Sequence, residues 1–231
     1  MGAAHTKKAI LDAAEATFAA SGYEGASMRA IAERANVTTA LIHYHFDTKD
    51  RLYEEIFARR SGAINADRER RLAACLGPDE SRRPALEELV DALFRPVLEL
   101  GHDPARGGAY FARILVGVAN SGDPRSVALV RKHYDPIARK FITAFKRALP
   151  ELADDDAVWG YLFSIGVGMT SMARTGRAAV LSDGLCDDGE VDALVERIVP
   201  FIVGGLRALA GAPRTTRAPA EKALDKKTVS A

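Results

Sequence analysis

The chain has 231 residues, of which 48% are hydrophobic and only 7% aromatic, and a formal net charge of +1. That length allows one or two domains with a substantial core, and abundant Ala, Leu, Glu and Arg beside few aromatic rings favour helices over a sheet-rich fold. The near-neutral balance excludes attraction to a polyanion by bulk charge alone, while the absence of a signal peptide or an apolar run of spanning length sets the expectation of a cytoplasmic protein with no membrane partner.

Residues 7–23, KKAILDAAEATFAASGY, put Ile10, Leu11, Ala14 and Phe18 on one helical stripe that ends at Gly22, with Tyr23 packing just beyond it. From Ser27 to Phe46, SMRAIAERANVTTALIHYHF reads as two short helices joined by a tight turn. Ser27 caps the first, whose inward positions are Ala30, Ile31 and the aliphatic stem of Arg34, and Ala32 and Ala35 keep the next helix close. The chain turns at Asn36, a residue that tolerates left-handed backbone better than most non-glycine residues. Thr38 caps the second helix; Val37 and Ile42 face inward, leaving Thr39, Ala40, His43 and Tyr44 to face out. A unit of this kind has one dominant use, which is to set its second helix in the major groove of DNA.

With these motifs in place, residues 6–60 resemble the amino-terminal domain of the tetracycline-repressor (TetR) family of transcriptional regulators. The family pattern is an opening helix, a Gly-aromatic corner, an Ile-Ala pair, an Ala-Gly-Val turn, a recognition helix ending in Tyr-x-x-Phe and a Lys opening the fourth helix. This chain supplies Ile10 to Phe18, Gly22-Tyr23, Ile31-Ala32, Ala35-Asn36-Val37, His43 to Phe46 and Lys49. Asn36 stands in the usual Gly position, and His43 stands where the family commonly has a Tyr that contacts a phosphate. The resemblance implies an all-α, TetR-like fold: a three-helix DNA-binding head with a helix-turn-helix over residues 1–48, then a larger helical effector-binding and dimerisation domain over 49–211. It further implies a homodimer on a double-stranded operator that is an inverted repeat, most often a repressor released by a small ligand. Activation by the same fold stays open, because the sign of regulation depends on where the operator lies relative to the promoter.

Residues 1–60 carry eight Lys or Arg against eight Asp or Glu, so contact with DNA depends on placement. Lys7, with Thr6 and Lys8, lies at the start of the first helix; Ser27 and Arg29 lie at the start of the second, where free N–H groups and the helix dipole favour a phosphate. Lys49 follows a cap made by Asp47 or Thr48 and brings an ammonium to the same strand. Thr38, Thr39 and Ala40 are assigned base-edge contacts through methyl groups and hydroxyls. His43, Tyr44 and His45 are candidates for phosphate or base edges, with packing as the alternative for Tyr44 and a structural role as the alternative for His45. No Arg, Asn or Gln lies between Thr38 and His45, so specificity leans on methyl contacts, water and DNA shape. Residues 151–196 hold ten acids and two bases, which turns that end away from a phosphate backbone.

Helices continue beyond the head. Asp50 to Ala74 carries Leu52, Ile56 and Ile64 inward and stops at Gly77-Pro78; Pro84 opens a helix through Leu98 that Pro96 should kink. Asp103-Pro104 and Asp123-Pro124 signal two further starts, the second for a helix to Ala148 interrupted or bent near Pro136. Phe94, Tyr110, Phe111, Ile114, Leu115, Tyr134, Phe141, Phe163 and Met169 are candidate walls of an effector pocket, with Arg113, His102, Asn120 or His133 as polar anchors. Each apolar one has ordinary core as its alternative, and a pocket so lined favours a small apolar or aromatic effector. Asp154 to Thr175 and Val191 to Leu209 are the candidate dimer helices, with Trp159, Gly166, Val195, Ile198 and Ile202 at an interface closed as a four-helix bundle. Gly160, Gly166 and Gly168 inside one helix suggest close backbone packing.

Residues 212–231 contain Pro213, Pro219 and five Lys or Arg without a core stripe, the composition of a disordered basic tail. Cys75 and Cys186 lack metal-ligand spacing and read as isolated thiols. His43 and His45 are two apart on a helix and point away from each other, so neither metal nor cofactor is expected. The competing class, an enzyme or a helical carrier, finds no nucleotide-binding Gly loop, no His-x-x-x-His and no Cys-x-x-Cys to support it.

Overall fold

The computed structural model describes residues 2–103, 107–172, 174–187 and 189–212, and every regular element among them is an α-helix. The expected basic tail lies outside this range from residue 213 onward. Helix α1 (Ala3–Gly25) starts ahead of the expected stripe and leaves helical geometry at Gly22, where φ is 69° and ψ 177°. A side chain is strained in that region, so glycine frees the corner. Tyr23 turns there onto Phe18 and Tyr53, with ring centroids 5.9 and 5.1 Å apart.

Helices α2 (Met28–Ala35) and α3 (Thr39–Phe46) follow, each started by a side-chain cap. Ser27 Oγ accepts from the Ala30 N–H at 3.1 Å and Thr38 Oγ1 accepts from the Leu41 N–H at 3.2 Å. Asn36 is left-handed, with φ 52° and ψ 49°, and its N–H and that of Val37 close the end of α2 on the Glu33 and Ala32 carbonyls. Ala30 and Arg34, expected inward, are exposed; an eight-residue helix buries one narrow stripe, and Ile31 and Ala32 fill it. Of the two expected caps for α4 (Lys49–Leu76), Thr48 serves, accepting from the Arg51 N–H at 3.2 Å, while Asp47 closes α3 at φ 61°.

The body comprises α5 (Leu86–Gly101), α6 (Gly108–Ala119), α7 (Pro124–His133), α8 (Asp135–Ala148), α9 (Asp154–Met172), α10 (Arg177–Leu181) and α11 (Val191–Gly211). Helix α5 is the centre, packed against α4, α6, α8, α9 and α11, and its helical run continues through Pro96. Helix α6 begins after Gly107, at φ 66°, and the start expected at Pro104 lies outside the described residues. Of the interruption or bend expected near Pro136, the interruption is found: the stretch from 124 to 148 is two helices parted at Tyr134, since Pro136 has no N–H to continue the backbone ladder. Helix α10 has no buried residue, and so lacked the apolar stripe by which a sequence reveals a helix.

One hydrophobic cluster runs from Ile10 to Leu206, so the core is continuous across the 48/49 position. Helix α1 also packs on α6, and its buried Glu15 accepts from Arg60 Nε at 2.8 Å and Nη2 at 2.5 Å, and from Arg59. Removing one partner of such a buried, hydrogen-bonded pair leaves an uncompensated charge, so this contact fastens α1 to α4. No helix among the described residues is long and apolar enough to cross a membrane.

Candidate functional site

The outer face of α3 is held rigidly and left bare. Ile42 and Phe46 are buried beneath it, and the Thr38 and Thr48 caps fix its surroundings. Tyr44 is 82% exposed, which removes packing as its role; Ala40 and His43 are exposed as well, and Thr39 is half-buried. A large aromatic ring standing free on a short helix has no part in the fold, and it leaves a surface with both hydroxyl and methyl groups to meet a partner. His43 Nδ1 lies 2.7 Å from the Asp47 carbonyl. That oxygen only accepts, so Nδ1 carries the proton and, in the neutral ring, Nε2 offers a lone pair. His45 is half-buried between Tyr44 and Phe46, with centroids 5.2 and 6.1 Å away.

The bases expected around this face divide into two groups. Lys7 and Lys49 are tied into the protein. Lys7 Nζ is 3.0 Å from Glu55 Oε2 and 5.5 Å from the Phe46 ring centroid. Lys49 Nζ donates to the Ala26 carbonyl at 2.9 Å and sits 4.2 Å from the Tyr23 ring centroid. Arg29 instead lies on the surface at the start of α2, paired among the described residues with Glu33 one turn on at 2.9 Å, and an exposed pair of that type holds its side chain weakly. Ser27 and Thr38 spend their hydroxyl lone pairs on capping but keep the hydroxyl hydrogen to give. The sequence reading passed over Arg51, exposed in the first turn of α4, and misplaced Arg34. Neither makes an ion pair among the described residues.

A second feature lies in the body. A cavity of about 180 Å³ opens among α4 to α9, walled by Phe94, Val97, Leu115, Val130, Tyr134, Tyr161 and Met169, with Arg68 and Asp135 also on its lining. Phe94, Leu115, Tyr134 and Met169 were expected there. The other candidates are elsewhere. Phe111 packs on Phe57 with centroids 5.4 Å apart, and Phe141 lies against Phe145, all four in the core. Arg113 and Ile114 line a surface cleft with Phe18 and Tyr23, Tyr110 is partly exposed, and Phe163 faces outward. Helical periodicity tells inside from outside; it does not tell which inward residues border a void. Of the expected anchors, His102 Nδ1 bonds the Leu98 carbonyl at 2.8 Å, His133 stacks on Phe57, and Asn120 Nδ2 donates to the Val116 carbonyl at 2.8 Å and lies 3.6 Å from the Met169 sulfur. Arg68 and Tyr161 were missed. Arg68 had a signal: it falls midway between Ile64 and Leu72 on the inward stripe of α4, where a cation is out of place.

The third feature is an apolar surface shared by α9 and α11. Trp159, Phe163 and Phe201 are 54%, 59% and 70% exposed; Trp159 stacks on Phe163 at 5.6 Å, and Phe163 and Phe201 line a groove together with Gly160, Gly205 and Leu209. Gly166 is exposed in the same helix. Val195, Ile198 and Ile202, expected at an interface, are buried within the subunit, because the inner half of the broad α11 face packs on α5 and α9. Cys75 and Cys186 are free thiols.

Two family models match the chain: "Bacterial regulatory proteins, tetR family" over residues 10–56 and "Tetracyclin repressor-like, C-terminal domain" over residues 91–205. The HTH-type transcriptional regulator SrpR of Pseudomonas putida is 29% identical over 94 residues, 41% of this chain and 42% of that protein. The uncharacterized HTH-type transcriptional regulator TtgW, also of Pseudomonas putida, is 29% identical over 94 residues, 41% of this chain and 67% of that one. The alignment thus spans less than half the length of SrpR. Among solved structures, a TetR-like transcriptional regulator from Rhodococcus superposes with a TM-score of 0.61 at 19% identity, covering 92% of this chain and all of the other. At that identity the likeness is one of fold.

Proposed function

The chain belongs to the TetR family of transcriptional regulators, a family of DNA-binding helix-turn-helix proteins rather than enzymes, and from that premise we propose that it is a dimeric repressor released from an inverted-repeat operator by a small ligand. The observation that carries the reading is the capped, rigid α3 with Tyr44 standing free on its outer face. Thr39 and Ala40 meet base edges, while Tyr44 and His43 serve phosphates or edges at the groove wall. Thr38 and Ser27 donate their hydroxyl hydrogens, and His45 steadies the end of α3. Arg29 supplies phosphate charge and Arg51 joins it; Lys49 and Lys7 act chiefly by fixing the head, since their ammonium groups are already engaged within it.

Dimerisation uses the α9 and α11 surface around Trp159, Gly166, Phe163 and Phe201, with Val195, Ile198 and Ile202 as the packing behind it. Two heads related by a two-fold axis then read half-sites about one duplex turn apart, roughly 34 Å or a multiple of it. The ligand site is the cavity, and α7 is the connection to the head. Val130 and Tyr134 at the end of α7 line the cavity, while Arg125 at its start donates to Asp50 at 2.9 Å and lies over the Tyr23 ring at 3.5 Å. A ligand that shifts α7 therefore bears on the junction from which α1 and α4 carry the recognition helix.

Selection from random duplexes is expected to enrich an inverted repeat, with Thr39→Ala or Ala40→Ser changing the preferred bases and Arg51→Ala lowering affinity for all sequences together with the salt slope. Enrichment of a site without two-fold symmetry would sink the dimeric reading. Ligand and operator must weaken each other by the same factor. Equal ligand affinity for the free protein and its operator complex rules out ligand-driven release.

A further inference from the structure

The cavity has a cationic end with nothing to balance it. Arg68 is buried, yet no carboxylate among the described residues lies within 4 Å of its guanidinium. Its Nε donates to the Leu93 carbonyl at 2.8 Å and its Nη1 to Asn65 Oδ1 at 3.3 Å; Nη2 makes no hydrogen bond among the described residues. A buried charge without a partner is among the least favourable arrangements a protein core can hold. On the same lining stands a second unanswered donor: the Tyr134 hydroxyl is buried and has no hydrogen-bond partner among the described residues.

Most of the remaining wall is apolar, formed by Phe94, Val97, Leu115 and Met169, with Tyr161 and Asp135 as the other polar side chains on it. Two donors without acceptors at one end of an apolar void call for a ligand that is oily over most of its surface and carries an acceptor-rich, negatively charged head. A neutral ligand leaves the guanidinium uncompensated, and a cation is repelled by it. Asp135 also borders the cavity, more than 4 Å from Arg68, and so directs an anionic head toward the arginine end. Size narrows the class further. A cavity of about 150 Å³ holds benzene, so the 180 Å³ here suits one ring or a short chain together with its head group.

We infer that the cavity binds a small organic carboxylate, its head paired with the Arg68 guanidinium and the Tyr134 hydroxyl and its ring or short chain among Phe94, Leu115 and Met169. The inference rests on reading the cavity as the effector site, and its test separates the two. Benzoate, phenylacetate and hexanoate are titrated into the full chain beside benzamide, phenylacetamide and hexanamide, with binding read by calorimetry and thermal shift. At least one acid is expected to bind roughly ten- to a hundred-fold more tightly than its amide, as a charge-assisted hydrogen bond provides.

Arg68→Met should abolish the preference. Tyr134→Phe, which removes only an oxygen and leaves the packing in place, should weaken the acid about three- to ten-fold. Equal binding of acid and amide, no binding by any acid in the panel, or a preference that survives in Arg68→Met overturns the inference; if Arg68→Met does not fold, an unchanged acid affinity in Tyr134→Phe overturns it. Operator affinity is measured in the same samples. Acid-selective binding that leaves operator affinity unchanged upholds the ligand class and overturns the effector role.

Discussion

Tyr23 gathers the charges of the junction between the head and the body. Lys49 and Arg125 both pack on its ring, and its hydroxyl donates to Asp50 Oδ1 at 2.5 Å, an oxygen that also receives Arg125 Nε. Burial first, and the Asp50 hydrogen bond next, push the Tyr23 hydroxyl up from 10.0 to about 12. Because the folded value lies above the ordinary one, the neutral hydroxyl stabilises the fold fully below pH 10 and that contribution is lost as pH rises toward 12. The thermal midpoint is therefore expected to fall across this alkaline window. Tyr23→Phe should lower stability at neutral pH by about 0.5–1 kcal/mol and make the alkaline fall shallower. It should not remove the fall, because burial raises Tyr53 to about 12 as well. An unchanged alkaline slope in Tyr23→Phe counts against the hydroxyl as its source. The same cluster explains what the sequence could not disclose about Lys49: proximity to the recognition helix was legible, but engagement with the Ala26 carbonyl depends on a contact 23 residues away.

At the level of elements, much was written in local chemistry. Ser27, Asn36, Thr38 and Thr48 each act on backbone groups within a few residues, so the boundaries of α2 and the start of α3 followed from residue type, while for α4 residue type left Asp47 and Thr48 both open as the cap. Helix α9 shows the limit. Three glycines within it suggested close approach, yet only two meet a neighbour: a Cβ at Gly160 would come within 2.5 Å of Leu206 Cδ2 and one at Gly168 would run into the Phe94 ring, whereas nothing lies within 4 Å of Gly166. Sequence marks where a helix lacks side chains; the neighbouring helix decides which gap is filled. Gly168→Ala should therefore destabilise the protein by about 1–3 kcal/mol, because the Phe94 ring must give way. Gly166→Ala should instead favour the helix by up to about 1 kcal/mol in the isolated subunit. Urea unfolding of the two variants distinguishes them, and equal effects would mean that Phe94 yields without strain.

For the molecule as a whole, the deciding surface is the one that the subunit does not use. Residues 154–175 and 191–209 were legible as candidate dimer helices, but Val195, Ile198 and Ile202 were set on the outer side, because an apolar face broad enough for two partners gives no sign of which half each takes. In the folded subunit α5 and α9 claim that inner half, and Trp159, Phe163 and Phe201 remain outside. Exposed aromatic rings around an apolar groove are costly to leave in water, and in the proposed dimer a second copy of the same surface covers them under two-fold symmetry. Phe163→Glu places a charge at the centre of that contact while leaving the subunit's own core untouched, since the side chain is 59% exposed. The variant should keep its helical circular dichroism, sediment as a monomer at micromolar concentration and lose operator affinity by about a hundred-fold or more, because a single head retains only its own contacts. A variant that still sediments as a dimer would move the interface off this surface. A monomer that bound the operator as tightly as the parent protein would remove the need for two heads altogether.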